Sequence, residues 1–500
     1  MLVLIFLGSL LASLIIWIKY CNSYWERRGV PGPKPWPLVG NIGSHLMGRC
    51  TLGETMREIY KKYEGYPFVG IFRATQPALL VRDPNLITQL LTKDFTSFRN
   101  NEIAVDKKSN ILLGHNPFVL KDQEWKDTRH MLTPGMTSGK MKNMFPLLKD
   151  IAATFVKFIE NHPTAASDGI ETRALTKRFT LDNVAKTAFG VDGKAFESYD
   201  DISDFNKLVD QFLKPGTFQS ILIALAQILP GIVKFASISV VKPDVESKLI
   251  EIISDVLKHR RSNNVEASDY LQFLIELSKA KHFGDTEITA HASTFFIDGY
   301  ETSSLSLTFL LFNLAQNPEY QNKIREEIKK YELENNGQLT YDALHEMPWL
   351  NACFYESLRV TPGFDLLTKR CNEPFEYTST TVGFKKLSVK LIPGDVVVLP
   401  HAMTTEDPKY FENPKKFMPE RMFSKDSFIK GTFNPFSDGP RACIGRRFAI
   451  LQIKLGTVSV LKHFELSVSP KMKHPMTYIP YHIFNEPKGG FWIRYKKITK

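Results

Sequence analysis

Cysteine is scarce in these 500 residues, and nothing about the five present suggests covalent cross-linking. Cys21, Cys50, Cys353, Cys371 and Cys443 form no CxxC pair and no spacing typical of a disulfide framework. So odd and sparse a set fits a reducing compartment. Low-complexity tracts, Gly/Ser linkers, blocks of like charge and internal repeats are also missing, which excludes a solenoid and leaves one large domain. Neither a P-loop nor a GxGxxG segment occurs, so the chain offers no dinucleotide site of its own. The formal charge is +11, but the cations are scattered among acids instead of lying on one stripe. That argues against nucleic acid and leaves a solvated surface, anionic lipid or an acidic protein partner.

Apolar residues are plentiful at 43%, aromatics make up 12% and there are 36 Phe, enough for one large core and a site for greasy ligands. Leu2 to Ile18 carry no charge and extend about 26 Å as helix, just enough for a thin bilayer. A cleaved signal peptide would place basic residues before the apolar run. Here Lys19, Arg27 and Arg28 come after it, so residues 1–20 read as an uncleaved anchor with the bulk of the chain on the cytosolic side. Residues 21–40 read as a basic, proline-rich linker in which Val30 to Pro37 forbid helix and favour a stiff spacer. Residues 41–500 form the remaining domain.

Within it, Pro67 to Arg82 predicts a hairpin with its turn near Thr75 and Gln76, followed by a helix from Pro84 to Thr92. Mostly helical patterning runs from Trp125 to Arg359, and strand character returns at Asp395 to Leu399. Gly216 to Val241 is apolar but broken by Pro230 and Gly231. It predicts a helix pair, either resting on the bilayer or buried, rather than a second span.

The segment Phe436-Ser-Asp-Gly-Pro-Arg-Ala-Cys-Ile-Gly445 precedes an apolar helical run from Arg447 to Leu461. A cysteine at a helix N-terminus has backbone N–H groups and the positive dipole end aimed at its sulfur, which favours the thiolate. A thiolate is the electron-rich axial donor that iron needs to cleave dioxygen. Gly439 and Gly445 allow a tight turn close to a flat ring, Phe436 offers an aromatic face, and Arg441 can pair with a propionate. Five fixed positions, F-x-x-G-x-R-x-C-x-G, coincide by chance in roughly one such chain in ten thousand.

This loop resembles the haem-binding segment of the cytochrome P-450 superfamily. Glu356-Ser-Leu-Arg359 and Pro419-Glu-Arg421 resemble that family's E-x-x-R and P-E-R segments in the same order. The resemblance implies a buried ionic knot of Glu356, Arg359 and Arg421 with a structural role. Trp125-Lys-Asp-Thr-Arg129 resembles its W-x-x-x-R, which implies that Trp125 and Arg129 hold a haem propionate. Lys369 falls where close relatives carry another propionate-binding Arg. Asp298-Gly-Tyr-Glu-Thr-Ser303, on a helix from Thr294 to Phe312, resembles the oxygen-side stretch, with Thr302 positioning a proton donor and Glu301 passing protons inward. Asp298 departs from the family's usual Ala or Gly. Lying at i,i+4 to Thr302, it is expected to join the proton relay or narrow the distal pocket, or else to turn toward a polar partner.

The likeness is greatest to the microsomal branch that includes insect detoxifying enzymes. It implies a mainly α fold with small β-sheets and haem b held by Cys443. It also implies NADPH-dependent insertion of one atom of dioxygen into a xenobiotic, insecticide or endogenous lipid or hormone. Electrons would come from NADPH–cytochrome P-450 reductase, with cytochrome b5 as a second donor, at the endoplasmic reticulum membrane. Lys126, Lys430, Arg446 and Arg447 are candidate residues for docking an acidic reductase. A haem-thiolate isomerase or dehydratase and a non-catalytic haem-binding protein remain as alternatives. Glu301-Thr302 favours the monooxygenase, because the isomerases have no use for proton delivery.

Overall fold

A computed structural model describes the chain apart from residues 104, 200–206, 209–210, 212–240, 266 and 500. The expected Gly216–Val241 helix pair therefore lies, but for Val241, outside the described residues. The chain opens with α1, Leu2–Asn22, none of whose side chains is buried. It does not lead into a free spacer. Trp25 is buried with its indole N–H on the carbonyl of Ile71, and Gly70 donates to the carbonyl of Pro31. The proline-rich stretch thus lies along the edge of a sheet.

That sheet is the smaller layer. Strands β1 (Phe68–Arg73) and β2 (Gln76–Val81) form the expected antiparallel hairpin, turning at Ala74 and Thr75. With β3 (Asn100–Asn101), β5 (Leu367–Arg370) and β8 (Val396–Leu399), they form five strands in the order β1-β2-β8-β5-β3. Strands β4 (Ile170–Glu171), β9 (Phe464–Val468) and β10 (Trp492–Lys497) make a second sheet, and β6 (Phe375–Thr378) pairs with β7 (Ser388–Leu391).

Helices form the larger layer: α2 (Leu52–Lys62), α3 (Pro84–Leu91), α4 (Asp122–Leu132), α5 (Ser138–Glu160), α6 (Thr172–Val184), α7 (Pro243–Ser262), α8 (Tyr270–Lys281), α9 (Asp285–Gln316), α10 (Pro318–Glu334), α11 (Pro348–Val360) and α12 (Arg446–His463). Several starts are written locally. Thr51 and Glu54 close a capping box on α2, and Asp83 caps α3 ahead of Pro84. Helix α9 spans 32 residues, well beyond the Thr294–Phe312 expected, because most of its length from Ile288 to Ala315 is enclosed by other elements. A helix buried all round shows no amphipathic edge to mark its ends. Phe295 meets Phe448 of α12 at 4.8 Å, and Gln452 of α12 donates to the carbonyl of Gly299 at 3.0 Å. These contacts hold the Asp298–Ser303 stretch against the helix that follows Cys443.

Candidate active site around Cys443

The thiolate loop is fixed by its own backbone. The Cys443 N–H donates to the carbonyl of Phe436 at 2.8 Å, and Gly445, the N-cap of α12, directs its N–H at the sulfur. Gly439 has φ +68°, and a Cβ there would lie 1.9 Å from the carbonyl oxygen of Leu91. Only glycine fits that close turn. Gly445 differs from expectation. Its φ is −84°, open to any residue, so it is not a turning glycine, and its missing Cβ leaves clear space instead.

Cys443 is accessible by area, yet burial is the largest influence on its thiol and pushes the pKa up. Both hold because the sulfur faces an interior hollow. The Gly445 N–H and the charges of Arg129 and Arg446 pull the pKa down, and Asp298 pushes it up. Asp298 and Thr302 are likewise accessible on a helix whose neighbouring residues are buried. The sulfur and this face of α9 therefore border one hollow.

The cations collect on the side of α4 and β5. Arg441 stacks over the Trp125 ring with its guanidinium 4.1 Å from the centroid. Its N–H groups donate to the carbonyls of Arg99, Pro117 and Leu120 and to Asn100 Oδ1. Instead of being free for a propionate, Arg441 mostly ties down the 99–120 segment. Burial and the nearby charge of Arg129 lower its pKa to about 9. Burial lowers that of Lys369 to about 7, with Arg441 adding to the effect, and Lys369 is only 1% exposed. Neither Lys369 nor Arg129 has an acidic partner among the described residues, and the Trp125 N–H has no acceptor there. Crowded cations without counter-charge, a spare indole donor, open space at Gly445 and an inward sulfur fit a flat apolar group carrying carboxylates at one edge. Haem is such a group.

The ionic knot assembles. Both Glu356 oxygens accept from Arg359, at 2.7 and 2.8 Å, and Oε1 also takes the Met418 N–H and the Arg421 Nε–H at 3.1 Å. Arg359 further donates to the carbonyls of Thr405, Pro414 and Lys416. The knot thus pins the segment that leads to the thiolate loop.

On α9, the Thr302 hydroxyl donates to the Asp298 carbonyl four residues back at 2.6 Å, which loosens the helix there. Glu301 does not share that face. Its carboxylate is buried against Arg173 and Lys177 of α6, the latter at 3.4 Å, so it does not point into the hollow. Asp298 borders the hollow, and both its oxygens accept from Asn116 Nδ2, at 3.0 and 3.1 Å. Burial pushes its pKa up to about 6, against the pull of Asn116. Asn116, Arg173 and Lys177 belong to no recognisable motif, and the sequence reading missed them.

A mainly helical fold and a cysteine loop of this geometry define a haem-thiolate protein. The chain belongs to the cytochrome P450 family, whose sequence profile matches residues 30–494, and it is a haem-thiolate monooxygenase. Among relatives from Drosophila melanogaster, it is similar to probable cytochrome P450 28d1, with 30% identity and 97% of each chain covered. Probable cytochrome P450 28a5 is 31% identical over 98% of this chain and 97% of that one. Cytochrome P450 6a2 is 30% identical over the full length of both.

Proposed function

We propose that this monooxygenase oxidises a hydrophobic small molecule at the endoplasmic reticulum membrane, using electrons from NADPH through a separate flavin reductase. The observation that carries the reading is the hollow bordered by the Cys443 sulfur and the Asp298–Thr302 face of α9. Haem, when bound, supplies the iron centre at which dioxygen is reduced and one of its atoms transferred. Cys443 would hold it through its sulfur, which the Gly445 N–H and Arg129 help keep as thiolate. Arg129, Lys369 and Trp125 would take the propionates, with Arg441 supporting them from behind. Phe436 would face the ring from the sulfur side, where it stacks with Phe354.

Proton handling falls to Thr302, whose hydroxyl can turn from the Asp298 carbonyl to a water in the hollow. Glu301 serves it from behind, and must exchange its pairs with Arg173 and Lys177 before it can pass a proton inward. Of the roles open to Asp298, its fixed pairing with Asn116 favours narrowing the distal pocket. Exposed Lys126, Lys430, Arg446 and Arg447 offer the cationic face for an acidic reductase, with cytochrome b5 as an alternative donor. The exposed α1 supports membrane attachment.

The test is absorbance of the reduced, full-length protein with carbon monoxide, followed by NADPH consumption with purified reductase. A thiolate-type band and substrate-dependent consumption are expected. Product formed without reductase or NADPH would favour the isomerase instead.

A further inference from the structure

Asp298 is a carboxylate that the hollow has no evident reason to keep. Its only hydrogen-bond partner among the described residues is Asn116, and no cation pairs with it. Asn116 is itself held: it is 2% exposed, and its Oδ1 accepts the Phe118 N–H at 2.7 Å, which leaves Nδ2 aimed at Asp298. The helix beneath is fixed too, by Thr302 on the Asp298 carbonyl and Gln452 on that of Gly299. The carboxylate therefore cannot swing away to solvent.

A tie between the 105–120 loop and α9 would be served at lower cost by a neutral amide or hydroxyl at this position. A carboxylate removed from water without a counter-charge is destabilising. One amide donor shared between two oxygens also leaves most of the carboxylate's acceptor sites open. Facing the hollow that the Cys443 sulfur also borders, those sites await a donor brought in from outside, and a positive one would complete the pair.

We propose that Asp298, held by Asn116, is the polar anchor of the substrate site, and that preferred substrates are hydrophobic molecules bearing one cationic nitrogen. This rests on the haem-thiolate reading above and names its substrate class. Asp298 acts as a specificity-determining residue: the ammonium sits on its carboxylate, and the apolar remainder lies in the hollow.

The experiment uses full-length holoenzyme in nanodiscs of zwitterionic lipid. Its ligands are the decyltrimethylammonium cation and the hydrocarbon in which carbon replaces that nitrogen. A quaternary nitrogen has no lone pair for iron, so the change in the haem absorbance band on titration reports occupancy of the site alone. The cation is expected to bind at least tenfold more tightly than the hydrocarbon. Asp298→Asn, which keeps the shape and an acceptor for Asn116, is expected to bring the two within about twofold. Equal affinities in the wild type, or a preference that survives Asp298→Asn, would overturn the proposal. Should Asp298→Asn take up no haem, Asp298→Ser is judged by the same criteria. A wild type without the reduced carbon monoxide band would instead sink the haem-thiolate reading, which keeps the two failures distinct.

Discussion

Cys443 is the side chain on which the proposed chemistry turns, and its surroundings are divided. Burial and Asp298 favour the thiol, whereas the Gly445 N–H, Arg129 and Arg446 favour the thiolate. Replacing it by serine should abolish the thiolate-type absorbance while leaving the far-ultraviolet circular dichroism unchanged. Asp298→Ala opens the distal pocket on the Thr302 face. It should raise the peroxide released per NADPH at the expense of product, and an unchanged ratio would remove Asp298 from that face functionally. These residues differ in how legible they were. Phe436, Gly439, Arg441 and Cys443 lie within eight positions of one another, so local spacing carries them. Asn116 and Asp298 lie 182 residues apart, and Arg173 and Glu301 lie 128 apart. No periodicity says which helix faces will meet, so those pairs could not be read. Arg441 was legible as a residue but not as a tie, because a backbone carbonyl leaves no trace in sequence.

Among the elements, α11 and the segment after it are joined by the Glu356 knot. Removing Arg359 by substitution with leucine leaves a fully buried carboxylate short of its bidentate partner, and should cost about 3–5 kcal/mol. Denaturant titration against wild type measures it, and a loss under about 1 kcal/mol would mean that Arg421 and the Met418 N–H suffice. Helix α6 gives a pH-dependent counterpart. Asp182 is buried, which pushes its pKa up to about 7, while the Ala195 N–H at 3.2 Å pulls it down. The folded state therefore binds this proton more tightly than the unfolded chain. Stability should fall as pH rises from about 4 to about 7, by up to roughly 4 kcal/mol. The gap between urea midpoints at either end of that window should narrow in Asp182→Asn. Element existence was well marked by the short apolar runs flanking a polar turn at β1 and β2 and by the Asp83–Pro84 cap at α3. The extent of α9 was not, since burial round most of the helix blurs the pattern that delimits it.

At the scale of the molecule, a helical body with a lateral sheet presents an apolar helix of 21 residues that none of the described residues buries. Deleting residues 2–22 should shift the protein from the membrane pellet towards the soluble fraction. An unchanged distribution would mean that other surfaces suffice for attachment. The cut must stop short of Trp25, whose ring lies where a Cβ on Gly70 would come within 2.4 Å of Cγ. A free spacer would have let the catalytic body drift beneath its tether like a buoy on a chain. With an indole wedged beside β1, the pivot moves to the very edge of the sheet. Any tilt imposed on the leading helix would then be felt at the β1 edge, where the Trp25 N–H meets the Ile71 carbonyl, instead of being lost in slack chain.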